Sequence, residues 1–190
     1  MENKNDKNSM FNLIKTLTII GIISGLALSF VFQWTQPHIA EHERQALEKS
    51  IYTVLPDAEE YQEVEKNGLI FYEGFDQHGS QVGVAYKSTG NGFQGEIVVM
   101  VGTDPQQEKI LAISILQHQE TPGLGARITE ERFKNNFSDK PFGDYEVVTG
   151  STEEPYEVEA ISGATISVEN VVQIVERAVK IISEEYGSGV

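Results

Sequence analysis

An α+β fold is predicted for this chain: a single N-terminal transmembrane helix, then a compact domain in which a hairpin-paired sheet is flanked by helices. Three observations predict it. Residues 16–34 carry no charge. The middle of the chain alternates β-rich runs with short turn segments, and the C-terminal stretch keeps an apolar stripe at helical spacing.

As a helix rising ~1.5 Å per residue, the uncharged run Thr16–Trp34 spans ~28 Å, enough to cross a bilayer. Lys4, Lys7 and Lys15 precede it, against Glu2 and Asp6. Basic residues beside a span set its orientation, so the tail is expected in the cytoplasm and the bulk of the chain outside the cell (inner) membrane. A rival reading is a cleaved signal peptide with Ala27 and Ser29 as its small-x-small site, but Phe30, Val31 and Phe32 carry the apolar stretch past it. Gly21 and Gly25 have the spacing that lets a second membrane helix approach closely, although glycine is common in such helices anyway.

After Pro37, Ala40, Leu47, Ile51, Val54 and Leu55 recur at helical spacing up to Pro56 and predict an amphipathic stalk. The expected organisation is a cytoplasmic tail (1–15), an anchor (16–34), a stalk helix (35–56) and an extracytoplasmic domain (57–190). Within that domain the acidic segment Asp57–Gly68 reads as a loop. Leu69–Phe75 and Gln81–Lys87 form one hairpin, and Glu96–Val101 and Ile110–Leu116 a second. A short helix near Thr129–Phe137 and a strand near Tyr145–Thr149 follow. The closing helix begins near Ser167 or Val168, with Val168, Val171, Val172, Val175, Ala178, Val179 and Ile182 on its apolar face. The tail from Gly187 is expected to fray.

Composition excludes whole classes of function. The 190 residues include 29 acidic against 14 basic side chains, a net charge of −15 and no cysteine. Disulfides, thiolate metal sites, cysteine-ligated clusters and a cysteine nucleophile are therefore out. So is a nucleic-acid partner, whose phosphates such a surface repels. The four histidines lie in unrelated contexts, with no Gly-x-Ser-x-Gly elbow for a serine hydrolase and no second ligand at metal spacing around His118.

Three segments carry chemistry. Gly90-Asn91-Gly92-Phe93-Gln94-Gly95 matches the spacing of a dinucleotide-binding turn, but these glycines open a strand rather than a helix, so the Rossmann reading fails. The polar, proline- and glycine-containing loop Gln117–Gly125 suits wrapping a ligand, with Glu120 and Thr121 as hydrogen-bonding groups and Gly123 and Gly125 allowing close backbone approach. It equally suits an ordinary strand-to-helix connection. Ser162-Gly163-Ala164-Thr165 stands where the last helix starts, and a helix N-terminus stabilises an anion. One of Ser162, Thr165 and Ser167 acting simply as the N-cap is the competing account.

Together these residues resemble the extracytoplasmic FMN-binding domain family, found in the G subunit of the Rnf electron transport complex and in the C subunit of the sodium-translocating NADH:quinone reductase. Ser162-Gly163-Ala164-Thr165 is similar to its threonine flavinylation signature, Glu120-Thr121-Pro122-Gly123-Leu124-Gly125 to its second signature, and Gly92–Ile97 to its glycine-aromatic strand entry. The resemblance covers about residues 85–180. It implies an FMN joined covalently through its phosphate to Thr165, with Ser162, Gly163 and Ala164 shaping the phosphate cradle and Glu120, Thr121, Gly123 and Leu124 lining the ring pocket. It also implies a flavin transferase for maturation and the other membrane and peripheral subunits of the Rnf complex as partners. The implied activity is electron relay within an ion-translocating ferredoxin:NAD oxidoreductase, with no substrate-binding catalytic residue in this chain. The signature usually opens with an aspartate three positions before the serine, where this chain has Glu159. Chain length favours the Rnf G subunit over the quinone-reductase C subunit, and a colourless ligand-binding or interaction module is the reading from another class.

Overall fold

A 51-residue helix, α1 (Lys4–Val54), leads into a six-stranded antiparallel sheet, and a second long helix closes the chain. The computed structural model describes residues 4–187. Of the tail expected to fray, only Gly187 lies within the described residues. The chain divides into two compact units, Met1–Gln45 and Ala46–Val190.

In the first unit the large apolar side chains from Met10 to Trp34 stand exposed along α1. Among the described residues this is the one helix long and apolar enough to cross a membrane. The hydroxyls of Thr16, Thr18 and Thr35 donate to the carbonyls of Asn12, Ile14 and Val31, which spares those donors an unpaired place in an apolar surrounding. Gly21 and Gly25 face open space. The expected anchor (16–34) and stalk (35–56) lie on one continuous helix, α1, which runs through Pro37.

The second unit takes in the last turns of α1. Ile51, Val54 and Leu55 are fully buried against Tyr72, Ala85 and Met100, so the end of the expected stalk is core. The sheet is a meander of β1 (Glu60–Lys66), β2 (Leu69–Phe75), β3 (Gln81–Asn91), β4 (Glu96–Asp104), β5 (Lys109–Gln117) and β6 (Lys140–Pro141). Both predicted hairpins are present. β1 lies where a loop is predicted. Its exposed Glu60, Glu63 and Glu65 mask a half-buried Tyr61 and Val64, a pattern suited to an edge strand that must not pair further. Asn67 (φ 50°) and Gly68 (φ 78°) turn β1 into β2, the pair of left-handed positions that an Asn-Gly hairpin turn requires.

Along β4, Ile97, Val99 and Val101 meet the closing helix α3 (Thr165–Tyr186) on one face of the sheet, and Met100 meets the end of α1 on the other. Burial on both faces explains why β4 reads as a continuous apolar run rather than an alternating one. All seven residues of the predicted α3 stripe are buried. The helix expected near Thr129–Phe137 is a 3₁₀ turn (Gly125–Thr129), a short α2 (Glu131–Lys134) and another 3₁₀ turn (Asn135–Phe137). The strand expected near Tyr145–Thr149 is β7 (Glu146–Val148), which leaves the main sheet to pair in parallel with β8 (Glu157–Glu159).

Two phenols tie the closing segments down. Tyr145 donates its O–H to the Pro141 carbonyl and Tyr186 donates to Glu73 Oε1 (2.7 Å). Burial pushes both phenols above the ordinary tyrosine range, with Tyr156 and Glu176 adding to the effect at Tyr145 and Glu73 and Glu185 at Tyr186. Unfolded tyrosine ionises near pH ~10, so this contribution to stability is complete below that pH and is lost as pH climbs toward the folded values. A pH titration of unfolding should therefore show stability falling above pH ~10, with phenolate absorbance of the folded protein delayed. Ionisation of every tyrosine of the folded protein with a midpoint near pH ~10 would contradict it.

Candidate functional site

α3 starts earlier than the sequence suggests. Thr165 is its first residue and Ala164 (φ −141°, ψ 28°) occupies the N-cap position, with no side-chain cap. The capping account of Ser162, Thr165 and Ser167 therefore finds no support. Gly163 (φ 80°) makes the preceding left-handed turn, which ends with the Ala164 N–H donating to the Ile161 carbonyl (2.9 Å). The first helical bond runs from the Val168 N–H to the Ala164 carbonyl (3.1 Å). The N–H groups of Thr165, Ile166 and Ser167 thus lie in the uncapped first turn, where a helix end presents its positive pole. Thr165 is exposed beside them.

Two clefts meet at this turn. One, of ≈ 280 Å³, is bounded by Phe93, Glu120, Thr121, Leu124, Ala164 and Ile166, among others. Its rim is apolar and open: Phe93, Leu124 and Ile166 are 61%, 48% and 51% exposed. The other, of ≈ 450 Å³, is polar and includes Arg127, Arg132, Asn136, Thr149, Glu159 and Ser162. Gly163 and Thr165 border both. A Cβ at Gly163 would come within 3.3 Å of Leu124 Cδ2, so the bare glycine keeps the passage between them.

The structure brings most of the predicted site residues together. Thr165, Gly163 and Ala164 join Glu120, Thr121 and Leu124 around the apolar cleft, while Ser162 faces the polar one. Gly123 (φ 78°) does not line the cleft; it turns the loop so that the Thr121 carbonyl accepts the N–H groups of Leu124 and Ala126 (both 3.1 Å). Glu120 is 5% exposed and its carboxylate is engaged within the protein. Oε1 accepts the N–H of Phe93 (2.6 Å) and Gln94 (3.2 Å), and Oε2 accepts the Ser167 hydroxyl (2.7 Å). That engagement leaves Thr121, rather than Glu120, as the polar group facing the cleft. The His118 Nδ1 accepts the Glu120 N–H (3.2 Å) and so belongs to the same loop scaffold.

The glycines of the apparent dinucleotide motif have a different use. Gly92 and Gly95 close the β3–β4 turn, the Gly92 N–H donating to the Gly95 carbonyl (2.6 Å). A Cβ on Gly92 would lie 2.3 Å from Glu120 Oε1, and one on Gly125 2.3 Å from Oε2. Both are bare so that a carboxylate can pass between them. Glu159, at the departure from the signature, accepts from Arg132 (2.6 Å), while its N–H donates to Asn136 Oδ1 (3.1 Å); it fastens the exit of β8 to α2 and to the 3₁₀ turn that follows it. Sequence reasoning missed Ile166, Arg127 and Arg132 as cleft residues.

The arrangement fits a flat ring carrying a phosphate. An exposed hydroxyl and an uncapped helix end suit the anion, and apolar rims suit a ring. Among the described residues no group of His, Asp and Glu is placed to hold a metal ion. Residues 92–180 match the FMN-binding domain family. The chain is 30% identical over 190 residues to the G subunit of the ion-translocating oxidoreductase complex of Methanosarcina acetivorans, across 96% of this chain and 99% of that one. It is 29% identical over 180 residues to the G subunit of the proton-translocating ferredoxin:NAD(+) oxidoreductase complex of Clostridium ljungdahlii, across 95% of each. In fold it is similar to the crystal structure of Shewanella oneidensis NqrC, with a TM-score of 0.53 at 21% identity over 65% of this chain and 66% of that one.

Proposed function

Because this chain belongs to the family of G subunits of ion-translocating oxidoreductase complexes, we propose that it is the membrane-anchored flavoprotein of an Rnf-type ferredoxin:NAD oxidoreductase, carrying FMN esterified through its phosphate to Thr165. The observation that carries the reading is the uncapped start of α3, with the exposed Thr165 as its first residue at the mouth of an apolar cleft. A phosphodiester there keeps one negative charge next to the first-turn N–H groups, where the helix end stabilises it.

The flavin supplies the redox chemistry when bound. The chain's own residues hold, orient and dry it. Ser162, Gly163 and Ala164 form the turn that presents Thr165. Phe93, Leu124 and Ile166 cover apolar ring surface, Gly123 shapes the loop behind Leu124, and Thr121 offers a hydrogen bond to a polar ring edge. Covalent attachment matters physically because a domain outside the cytoplasm has no reservoir of free FMN from which to reload.

The topology follows from the charge pattern: residues 1–15 cytoplasmic, 16–34 across the membrane, and the FMN domain on the far side. The compact unit begins at Ala46, so the last turns of the stalk belong to the domain. Partners are the other Rnf subunits and a flavin transferase. Whole-length similarity to the G subunits favours this assignment over the C subunit of the quinone reductase.

Intact mass of the protein purified from native membranes tests the reading. The expected result is an excess equal to one FMN less one water, with yellow fluorescence that stays with the polypeptide after denaturation. A colourless protein of unmodified mass, with complex and transferase both present, would leave the interaction-module reading instead.

A further inference from the structure

Glu120 is the one buried acidic side chain among the described residues, and its hydrogen-bond partners there are neutral. Removing a carboxylate from water costs several kcal/mol unless hydrogen bonds replace its hydration, on the order of the penalties seen for buried ions. Three donors do so here, and they come from two separate segments. The turn joining β3 to β4 sends the Phe93 and Gln94 amides to Oε1, and the first turn of α3 sends the Ser167 hydroxyl to Oε2, while His118 holds the Glu120 backbone. Among the described residues no other hydrogen bond joins the Phe93 turn to the start of α3. Apolar packing of Ile97 and Val99 on α3 sets the general spacing of sheet and helix, and the local link from Phe93 to the turn that carries Thr165 and Ile166 is one carboxylate bridge, N–H to Oε1 and Oε2 to Ser167, with Ser167 two residues past Thr165.

We propose that Glu120 is a positioning residue for the flavin: its buried carboxylate spans the cleft wall from Phe93 to Ser167, sets the width of the slot that grips the ring, and fixes one negative charge beside it. This rests on the FMN reading above. It is a separate role from hydrogen-bonding the ring, because it works through the three protein donors that the carboxylate already accepts. It also explains why space is kept free on both sides of the carboxylate, at Gly92 and Gly125. A fixed negative charge in a cleft of low dielectric disfavours adding electrons nearby, so the carboxylate acts on the ring's potential as well as its placement.

The test compares flavinylated wild type with Glu120→Gln and Ser167→Ala in the full-length protein. Covalent flavin content, visible circular dichroism of the ring, its fluorescence anisotropy and its midpoint potential are read alongside thermal stability. Glu120→Gln is expected to keep covalent flavin and to raise the potential of a one-electron step by about 59 mV, the equivalent of a tenfold change in the reduction equilibrium. Ser167→Ala keeps the charge and cuts one arm of the bridge, so anisotropy and visible dichroism should fall with little change in potential. Loss of stability in both variants with unchanged potential, dichroism and anisotropy would reduce Glu120 to a structural group and overturn the proposal. Should Glu120→Gln not fold, unaltered ring signals in Ser167→Ala overturn it alone. Wild type without covalent flavin would instead defeat the FMN reading on which this one stands.

Discussion

Thr165→Ala is expected to abolish polypeptide-bound flavin while leaving the domain folded. The residue is exposed, begins α3, and its hydroxyl takes no part in the hydrogen bonds among the described residues, so its truncation should alter stability by no more than ~0.5 kcal/mol. What the substitution removes is the only oxygen at that position able to form the ester. Ser162 supplies the control. It too is exposed, in the same turn, but it borders only the polar cleft. Ser162→Ala should retain the fluorescent band, and Thr165→Ser, which keeps a hydroxyl, should retain part of it. In-gel fluorescence and intact mass report attachment; circular dichroism reports folding. A band surviving in Thr165→Ala, or vanishing only in Ser162→Ala, would move the linkage elsewhere.

The elements that were legible from sequence are those whose signal is local. The α3 stripe repeats at three- and four-residue steps, and the two predicted hairpins have turn residues between apolar runs. β1 was missed because its half-buried Tyr61 and Val64 are three residues apart among exposed glutamates and give no period-two alternation, so composition spoke for a loop while Asn67-Gly68 spoke for a hairpin. The start of α3 was placed late because a hydroxyl residue was expected as the cap and the structure uses Ala164. That error touches function: with Thr165 moved from the loop to the first helical position, its hydroxyl becomes neighbour to the free amides. The partners of Glu120 were not legible at all. They lie 26, 27 and 47 residues away, and nothing in the spacing of the 117–125 loop reveals that its acid turns inward. Gly125 was legible as a close-approach position, but what approaches it is this chain's own carboxylate.

The second large effect is on the fold. Gly102, near the end of β4, faces the last turn of α1, and a Cβ there would lie 2.1 Å from the Val54 carbonyl oxygen and 2.7 Å from Val54 Cβ. The obstacle is backbone, and Val54 itself is fully buried in the cluster that holds α1 to the sheet. Relief therefore requires the helix end to lift from β4, exposing part of that cluster. Overpacking of this kind costs ~3 kcal/mol or more, a large share of the ~5–15 kcal/mol available to a domain. Gly90→Ala makes a useful contrast, because its Cβ would meet Ile174 Cγ1 at 2.5 Å and Cδ1 at 2.9 Å, atoms of a side chain rather than of the backbone. It should cost ~1–2 kcal/mol, and Ile174→Ala, which removes both atoms, should cost less in the Gly90→Ala background than in wild type. Gly102→Ala should find no such rescue from Val54→Ala, which leaves the carbonyl in place and adds a cavity. Urea unfolding of the single and paired variants measures this directly: a Gly102→Ala protein within ~1 kcal/mol of wild type, or one restored by trimming Val54, would mean that the end of α1 does not rest on β4 as described.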